Sequence, residues 1–97
     1  MRLFETKDKF GKKVYLTKER WTHILTEHPE VLPYLQEFSE IFLHPTKISQ
    51  REYDPQIRYY YQYYKHRTQS AKYLLIIVNY LNGEGFIITA YFVRRIP

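Results

Sequence analysis

The sequence predicts an α+β domain in which N-terminal helices pack on one face of a four-stranded antiparallel sheet. The chain has 97 residues, 44% of them hydrophobic, which is enough for one domain with a single modest core. Apolar residues recur at helical spacing between residues 18 and 43, and they alternate as in strands after residue 46. Helices followed by successive strands indicate a single domain over residues 1–97 with separate helical and sheet layers.

The composition excludes several classes of protein. The chain has no cysteine, which rules out a disulfide scaffold, a thiolate zinc site and a cysteine nucleophile. Its longest apolar run, residues 74–78, is too short to cross a membrane, and no apolar secretory segment follows Met1. We therefore expect a soluble cytoplasmic protein with no membrane partner.

The charge is distributed unevenly along the chain, whose formal net charge is +5. Residues 1–20 contain seven Lys or Arg and three acids, residues 21–45 contain four Glu and no Lys or Arg, and residues 46–97 contain eight Lys or Arg and three acids. Two basic terminal thirds thus flank an acidic middle. This pattern suits a polyanion such as RNA, or an acidic protein partner.

The first predicted elements are a strand over residues 13–16 and a helix over residues 18–28. Thr17 has a side chain suited to capping the helix, and Pro29 disfavours helical geometry in the residue before it. The apolar face of this helix is marked by the spacing i, i+3, i+4 and i+7: Trp21, Ile24, Leu25 and His28.

A second helix and a meander of strands are predicted to follow. The helix begins near Pro33, a residue accepted in a first helical turn, and ends at His44-Pro45. The strands cover residues 46–53, 58–64, 73–81 and 86–94. The signals for the turns between them include Asp54-Pro55 and Asn82-Gly83-Glu84-Gly85.

The second of these strands is unusual because five of its residues are tyrosines. Alternation places Tyr59, Tyr61 and Tyr63 on one face, and it places Arg58, Tyr60, Gln62 and Tyr64 on the other. One interpretation is an ordinary strand with one face packed under the helices. The other is a platform on which rings such as that of Tyr60 stack on RNA bases while Arg58, Lys65 and Arg67 bind phosphates. The sequence leaves both open.

The last strand has one purely apolar face, which we expect to lie in the core: Phe86, Ile88, Ala90 and Phe92. Thr89 and Tyr91 then lie on the opposite face, where their hydroxyl groups are able to donate to a phosphate oxygen. Arg94 follows at the strand end, and a guanidinium pairs with phosphate through two hydrogen bonds. Both hydroxyls are equally consistent with ordinary strand residues.

Two histidines lie on the first predicted helix. His23 and His28 are five residues apart, or about 140° around a regular helix, so they do not chelate one metal ion together. We expect no metal site and no cofactor. His23 on a polar stripe and His28 at a helix end are each also explained as ordinary surface or capping residues.

The chain resembles the phage- and mobile-element-associated nucleases of the barnase–EndoU–colicin–RelE-like superfamily. The resemblance extends from about residue 14 to residue 95, and it depends on the order of loose motifs. Those motifs are Trp21-Thr22-His23-Ile24, His28-Pro29-Glu30, the spacing Ile41…Pro45…Ile48, and the strands at residues 59–64, 74–78 and 86–92.

This resemblance implies a metal-independent ribonuclease, in many members a toxin, that leaves a 2′,3′-cyclic phosphate. The implied catalytic residue on the helix is His23, and His28 follows it. The implied polar residue on the strand is Thr89, and Tyr91 lies two residues later on the same face. The implied phosphate ligands are Arg51, Arg58 and Arg94. Which histidine is the acid and which the base stays open. The implied partners are RNA and an acidic antitoxin or immunity protein.

A function without catalysis is the alternative. The tyrosine-rich strand and the basic ends of the chain also suit an RNA-binding module or a protein-interaction module. The alternatives differ in one respect, because only the nuclease turns RNA over.

Overall fold

The computed structural model describes residues 1–97 and contains six strands, two α-helices and one 3₁₀ helix. In chain order, these elements are β1 (Arg2–Lys7), β2 (Lys13–Thr17), α1 (Lys18–Glu27), the 3₁₀ helix (Pro29–Glu37), α2 (Phe38–Leu43), β3 (Lys47–Arg51), β4 (Asp54–Tyr63), β5 (Tyr73–Leu81) and β6 (Glu84–Val93). The predicted α+β class is confirmed. No helix is both long and apolar enough to cross a membrane.

The strands form one mixed sheet in the order β1-β2-β6-β5-β4-β3. Strands β2 and β6 are parallel, and all other neighbours are antiparallel. The prediction of N-terminal helices on a four-stranded, wholly antiparallel sheet is therefore wrong in detail, because β1 and β2 precede the helices and join the sheet. A hairpin of β1 and β2 extends the meander by two strands, and it places β6 inside the sheet between β2 and β5.

The helices begin and end for reasons that the sequence makes visible. The hydroxyl oxygen of Thr17 accepts a hydrogen bond from the Arg20 backbone N–H at 3.1 Å and caps α1, as predicted. The second predicted helix is divided, because its first part is the 3₁₀ helix, with Pro33 inside it, and only Phe38–Leu43 is α-helical. Proline has no N–H to donate within a helix, which disfavours a continuous α-helix here.

The core lies between the helices and one face of the sheet. Its buried members from the helical region are Trp21, Ile24, Val31, Phe38, Ile41 and Phe42. Those from the sheet are Val14, Leu16, Tyr60, Leu74, Ile76, Val78, Ile87 and Ala90. Burial of these side chains is the main favourable term for folding.

A β-bulge in β6 changes which of its residues face the core. Ile77 is paired with Thr89 and Val78 with Ile87, so Ile88 is an extra residue in the ladder. Ile87 is consequently fully buried, and Phe86 lies on the opposite face against the ring of Tyr15. The expectation that Phe86 and Ile88 belong to one apolar core face was wrong, because alternation does not continue through a bulge.

Of the two turns predicted from the sequence, one is present in the structure and the other is not. Asn82 and Gly83 both have positive φ, +55° and +82°, as in the two-residue turn favoured by hairpins. Asp54-Pro55, by contrast, does not form a turn. Strand β4 already begins at Asp54, and the turn precedes it at residues 52–53.

Candidate functional site

One face of the sheet has no helical layer over it, and we call it the open face. The register aligns Thr89, Ile77, Tyr59 and Ser49 in one row across β6, β5, β4 and β3. The next row contains Tyr91, Leu75, Tyr61 and Lys47. These residues alternate with core residues along each strand, so the open face carries hydroxyl-bearing, aromatic and basic side chains together with Ile77 and Leu75. Leu75 and Tyr61 are only 4% and 2% exposed, so the accessible part of this face does not include them.

The edge of β6 is the margin of the open face nearest to α1. Strand β2 pairs with β6 only at Gly85 and Phe86, because the chain leaves β2 at Thr17 to begin α1. The C-terminal half of β6 therefore has no strand neighbour on that side. The residue that ends α1, His28, reaches this edge, and its imidazole stacks on Tyr91 with a centroid separation of 5.1 Å and an interplanar angle of 24°.

A carboxylate lies beside the same imidazole. His28 Nδ1 is 3.8 Å from Glu30 Oε2, and the side chain of His28 is 32% exposed. The ring is therefore held from one side by Tyr91, while Glu30 reaches its Nδ1 atom. At 3.8 Å the carboxylate lies close to Nδ1 without a hydrogen bond to it.

Glu30 also lines the largest concavity of the molecule, an open groove with a volume of about 760 Å³. This groove lies between the 3₁₀ helix and the connection from β4 to β5. It is lined by Glu30, Pro33, Tyr34, Tyr63, Tyr64, Lys65, His66, Arg67, Thr68 and Gln69. We call it the basic groove, because three of its consecutive residues are Lys65, His66 and Arg67.

The side chains of the basic groove differ in how firmly they are held. The guanidinium of Arg67 lies 3.5 Å from the centroid of the Phe92 ring and donates a hydrogen bond to the Ala71 carbonyl oxygen at 3.0 Å. Lys65 and His66 are exposed. Arg67 therefore orders the connection, while Lys65 and His66 present their nitrogen atoms to solvent.

The other predicted histidine, His23, lies near the N-terminal end of β6, away from Tyr91. It lines a small hollow with Thr17, Glu19, Arg20 and Phe86. Its Nε2 atom is 3.6 Å from Glu27 Oε1, and its side chain is 60% exposed. The structure thus brings His28, and not His23, against Tyr91.

A second hollow, of about 300 Å³, lies at the far side of the open face. It is lined by Ser49, Gln50, Arg51, Tyr59, Tyr61 and Pro97. The Arg51 guanidinium carbon is 5.1 Å from the centroid of the Tyr59 ring. Arg51 Nη1 also donates to the hydroxyl oxygen of Tyr53 at 3.2 Å. We call this the Arg51 hollow.

The helix-covered face contains a buried polar cluster instead of a binding surface. Asp8 accepts hydrogen bonds from the backbone N–H groups of Phe10 and Lys12, both at 2.9 Å, and from the Tyr80 hydroxyl at 2.7 Å. The hydroxyls of Tyr60 and Tyr80 are 2.6 Å apart. These bonds join the turn between β1 and β2 to β4 and β5.

Two predicted RNA-binding residues belong to this cluster, and their placement corrects the prediction. Tyr60 is fully buried and packs in a T-shaped arrangement with Phe42, and because none of its surface is exposed, its ring has no face available to a base. Arg58 lies on the same face with its Nη1 atom 3.8 Å from Asp8, and that nitrogen is buried. Neither residue shares a face with Thr89 and Tyr91.

Burial also changes the acidity of several tyrosines. Removal from water raises the pKa of Tyr60 and that of Tyr61 above the ordinary value. The pKa of Tyr80 is raised strongly by burial, and also by its bonds to Tyr60 and Asp8, because both favour the protonated phenol. These three phenols are therefore protonated at neutral pH, and the Tyr80 hydroxyl donates to Asp8.

The remaining predicted residues lie at separate places. Thr89 is half-buried on the open face, one row from Tyr91. Arg94 is exposed just beyond the end of β6, and Lys65 lines the basic groove. The predicted set therefore divides into an edge group with His28 and Tyr91, a groove group with Lys65, a far group with Arg51 and a covered-face pair of Arg58 and Tyr60. The other three residues, His23, Thr89 and Arg94, belong to none of these groups.

Sequence reasoning gave no role to Glu30 and His66, which the structure places in the basic groove. Glu30 stands two residues after His28 in the His28-Pro29-Glu30 motif, and this spacing was the available signal. His66 had none, because it follows a strand and its position depends on how the connection to β5 folds.

Comparison of the chain with protein-family models, curated proteins and solved structures finds no match. No group of three or more His, Asp or Glu side chains is arranged to hold a metal ion.

Proposed function

We propose that the protein is a metal-independent RNA endonuclease that leaves a 2′,3′-cyclic phosphate. The observation that carries the proposal is the half-buried imidazole of His28, which stacks on Tyr91 and lies 3.8 Å from Glu30, a residue that lines the basic groove. Histidine is the side chain most often used for proton transfer, and a basic groove is suited to a polyphosphate chain.

The proposed reaction requires two proton transfers. A base removes the proton of the ribose 2′-hydroxyl, and the 2′-oxygen attacks the adjacent phosphorus. The bond from phosphorus to the 5′-oxygen then breaks, and an acid protonates that leaving oxygen. The products are a 2′,3′-cyclic phosphate and a free 5′-hydroxyl. Each such transfer contributes about 10²- to 10⁴-fold to the rate in enzymes.

His28 is the residue to which we assign one of these transfers. Its ring is held by Tyr91, and Glu30 at Nδ1 leaves Nε2 to meet the substrate. Glu30 is the positioning residue in this scheme. Hydrogen bonds at catalytic groups are often long before the substrate binds, so the 3.8 Å separation is compatible with the role.

The second transfer and the charge on phosphorus are assigned to the basic groove. His66 is a second titratable side chain lining the same groove as Glu30, and Lys65 supplies a fixed positive charge. Positive groups placed where charge develops stabilise the transition state without reorganising during the reaction. Tyr91 and Thr89 contribute hydroxyl groups on the adjoining open face.

The test is cleavage of a single-stranded RNA in the presence of EDTA by the wild type and by His28→Ala. We expect the variant to be slower by about 10²-fold or more, because it lacks one proton-transfer group. Glu30→Gln is expected to cleave more slowly than the wild type but faster than His28→Ala. Replacing the ribose at the cleavage position by 2′-deoxyribose abolishes the reaction, and the wild-type product carries a 2′,3′-cyclic phosphate.

His44→Ala is the matched control. His44 ends a helix as His28 does, and it lies 4.0 Å from Glu40, but its side chain is 75% exposed and lines no groove. It should cleave like the wild type. Loss of cleavage in EDTA, or a His28→Ala rate equal to that of His44→Ala, contradicts the proposal.

A second candidate function, RNA binding without catalysis, is favoured by the open face itself. Tyr59, Tyr63 and Tyr73 lie there with their rings at least partly accessible. Binding without product formation after long incubation supports this function over the nuclease. An acidic antitoxin or immunity protein is compatible with either function.

A further inference from the structure

We propose that the Arg51 hollow is a separate subsite for single-stranded nucleic acid, in which Tyr59 stacks on an unpaired base and Arg51 binds a phosphate. The inference rests on the proposed function for the identity of the ligand as RNA. It adds a site on the far side of the open face, away from His28.

The composition of the hollow supports an aromatic and anionic ligand. Its volume of about 300 Å³ lies at the lower end of the range for small-ligand pockets. Tyr59 supplies a ring that is half-buried on the open face, and the Arg51 guanidinium lies over that ring with its carbon 5.1 Å from the centroid. An aromatic ring next to a guanidinium is the combination that binds a base together with its phosphate.

The Arg51 guanidinium has N–H groups that make no hydrogen bond within the protein. One nitrogen of Arg51 donates to the Tyr53 hydroxyl, and no carboxylate lies within 4.0 Å of it, whereas Arg2 is paired with both Glu5 and Glu84. An unpaired guanidinium at an exposed sheet end retains its capacity for a phosphate, which it binds through two parallel hydrogen bonds.

The hollow is connected to the proposed reaction centre by the sheet itself. Tyr59 lies in the same cross-strand row as Thr89, with Ile77 between them. This row crosses from β6 to β4 in two strand spacings, or about 10 Å. The next row is not an accessible path, because its residues Leu75 and Tyr61 are only 4% and 2% exposed. A few nucleotides that follow the Thr89 row from His28 therefore reach Arg51. Stacking on Tyr59 needs a base whose face is free, so this path selects unpaired RNA.

The test measures the binding of a fluorescent single-stranded oligonucleotide whose riboses are all 2′-O-methylated, so that it is not cleaved. We expect both Arg51→Ala and Tyr59→Leu to bind at least about fivefold more weakly than the wild type. Arg51→Ala is also expected to lower the slope of log affinity against log salt by about one, as for a lost phosphate contact. Tyr59→Leu keeps an apolar side chain and separates stacking from folding.

Lys9→Ala is the matched control, because Lys9 is another exposed cation near an aromatic ring, 5.8 Å from the centroid of Phe10, but it lies in the turn between β1 and β2. Equal affinities of Arg51→Ala and Lys9→Ala overturn the subsite, as does wild-type protein that does not bind the oligonucleotide. If the wild type does not cleave RNA and Arg51→Ala binds the oligonucleotide more weakly than the wild type, the subsite is supported and the nuclease is rejected. If the wild type cleaves RNA and Arg51→Ala binds the oligonucleotide as tightly as the wild type, the nuclease is supported and the subsite is rejected.

Discussion

The hydroxyls of Tyr60 and Tyr80 bond to one another and to Asp8 beneath the helices, whereas Tyr59 and Tyr63, on the same strand as Tyr60, face away from them. The difference arises from the period of two along β4, which sends neighbouring tyrosines to opposite faces. On the covered face, tyrosine fills the core and each buried hydroxyl has a partner. On the open face the rings of Tyr59 and Tyr63 remain at least partly accessible to a ligand, whereas Tyr61 is buried. A run of tyrosines is therefore two sets of residues with different roles.

The largest effect expected from this comparison concerns the packing of neighbouring tyrosines. Tyr60→Ala leaves a cavity in the core and should lower the free energy of unfolding by about 3–5 kcal/mol. Tyr63→Ala, at a position 42% exposed and beside Tyr73, should lower it by about 1 kcal/mol or less. Urea denaturation measures both. Similar losses for the two variants contradict the assignment of the faces.

A smaller effect is expected from the carboxylate of the covered face. Asp8→Asn retains the size of the side chain but replaces one acceptor oxygen by a donor among two backbone N–H groups and the Tyr80 hydroxyl. The expected loss is about 1–3 kcal/mol. Asp54→Asn is the control, since the only side-chain bond to Asp54 is a 3.4 Å contact from Gln56. A thermal or urea midpoint of Asp8→Asn equal to that of the control contradicts this role.

The smallest effect is a dependence of stability on alkaline pH. The folded-state pKa of Tyr80 is raised, so above about pH 10 the unfolded chain releases this proton while the folded protein keeps it. The folded state then binds more protons, and the free energy of unfolding falls as pH rises.

Tyr80→Phe removes this contribution. We expect the wild type to lose more stability than Tyr80→Phe between about pH 9 and pH 11, as measured by urea unfolding at each pH. Titration of lysines is common to both proteins and cancels in the difference. An equal or steeper fall in Tyr80→Phe contradicts the argument.

The elements whose signals are local were predictable from the sequence. Strand β5 was predicted at residues 73–81, where the structure places it, because its continuous apolar run lies between polar segments. Thr17 as the N-cap and Asn82-Gly83 as the turn also rest on side-chain and backbone preferences of single residues.

The features that depend on tertiary pairing were not predictable. Strand β1 is an edge strand whose residues are mostly exposed, so it shows no strong alternation, and the bulge at Ile88 is visible only from the pairing of β5 with β6. The same holds for the site. His28 and Tyr91 were both named from the sequence, but their stacking depends on β2 ending at Thr17 and leaving that edge of β6 to the helix.

The central position of β6 also determines when the protein is able to fold during its synthesis. β2 has no partner on its inner side until residues 84–93 have emerged from the ribosome, because β6 lies between β2 and β5. Such pairing between distant parts of the chain slows folding. The same strand carries Tyr91, so a nascent chain without β6 lacks both the centre of the sheet and the support of His28. Any activity at His28 therefore begins only after translation has passed β6.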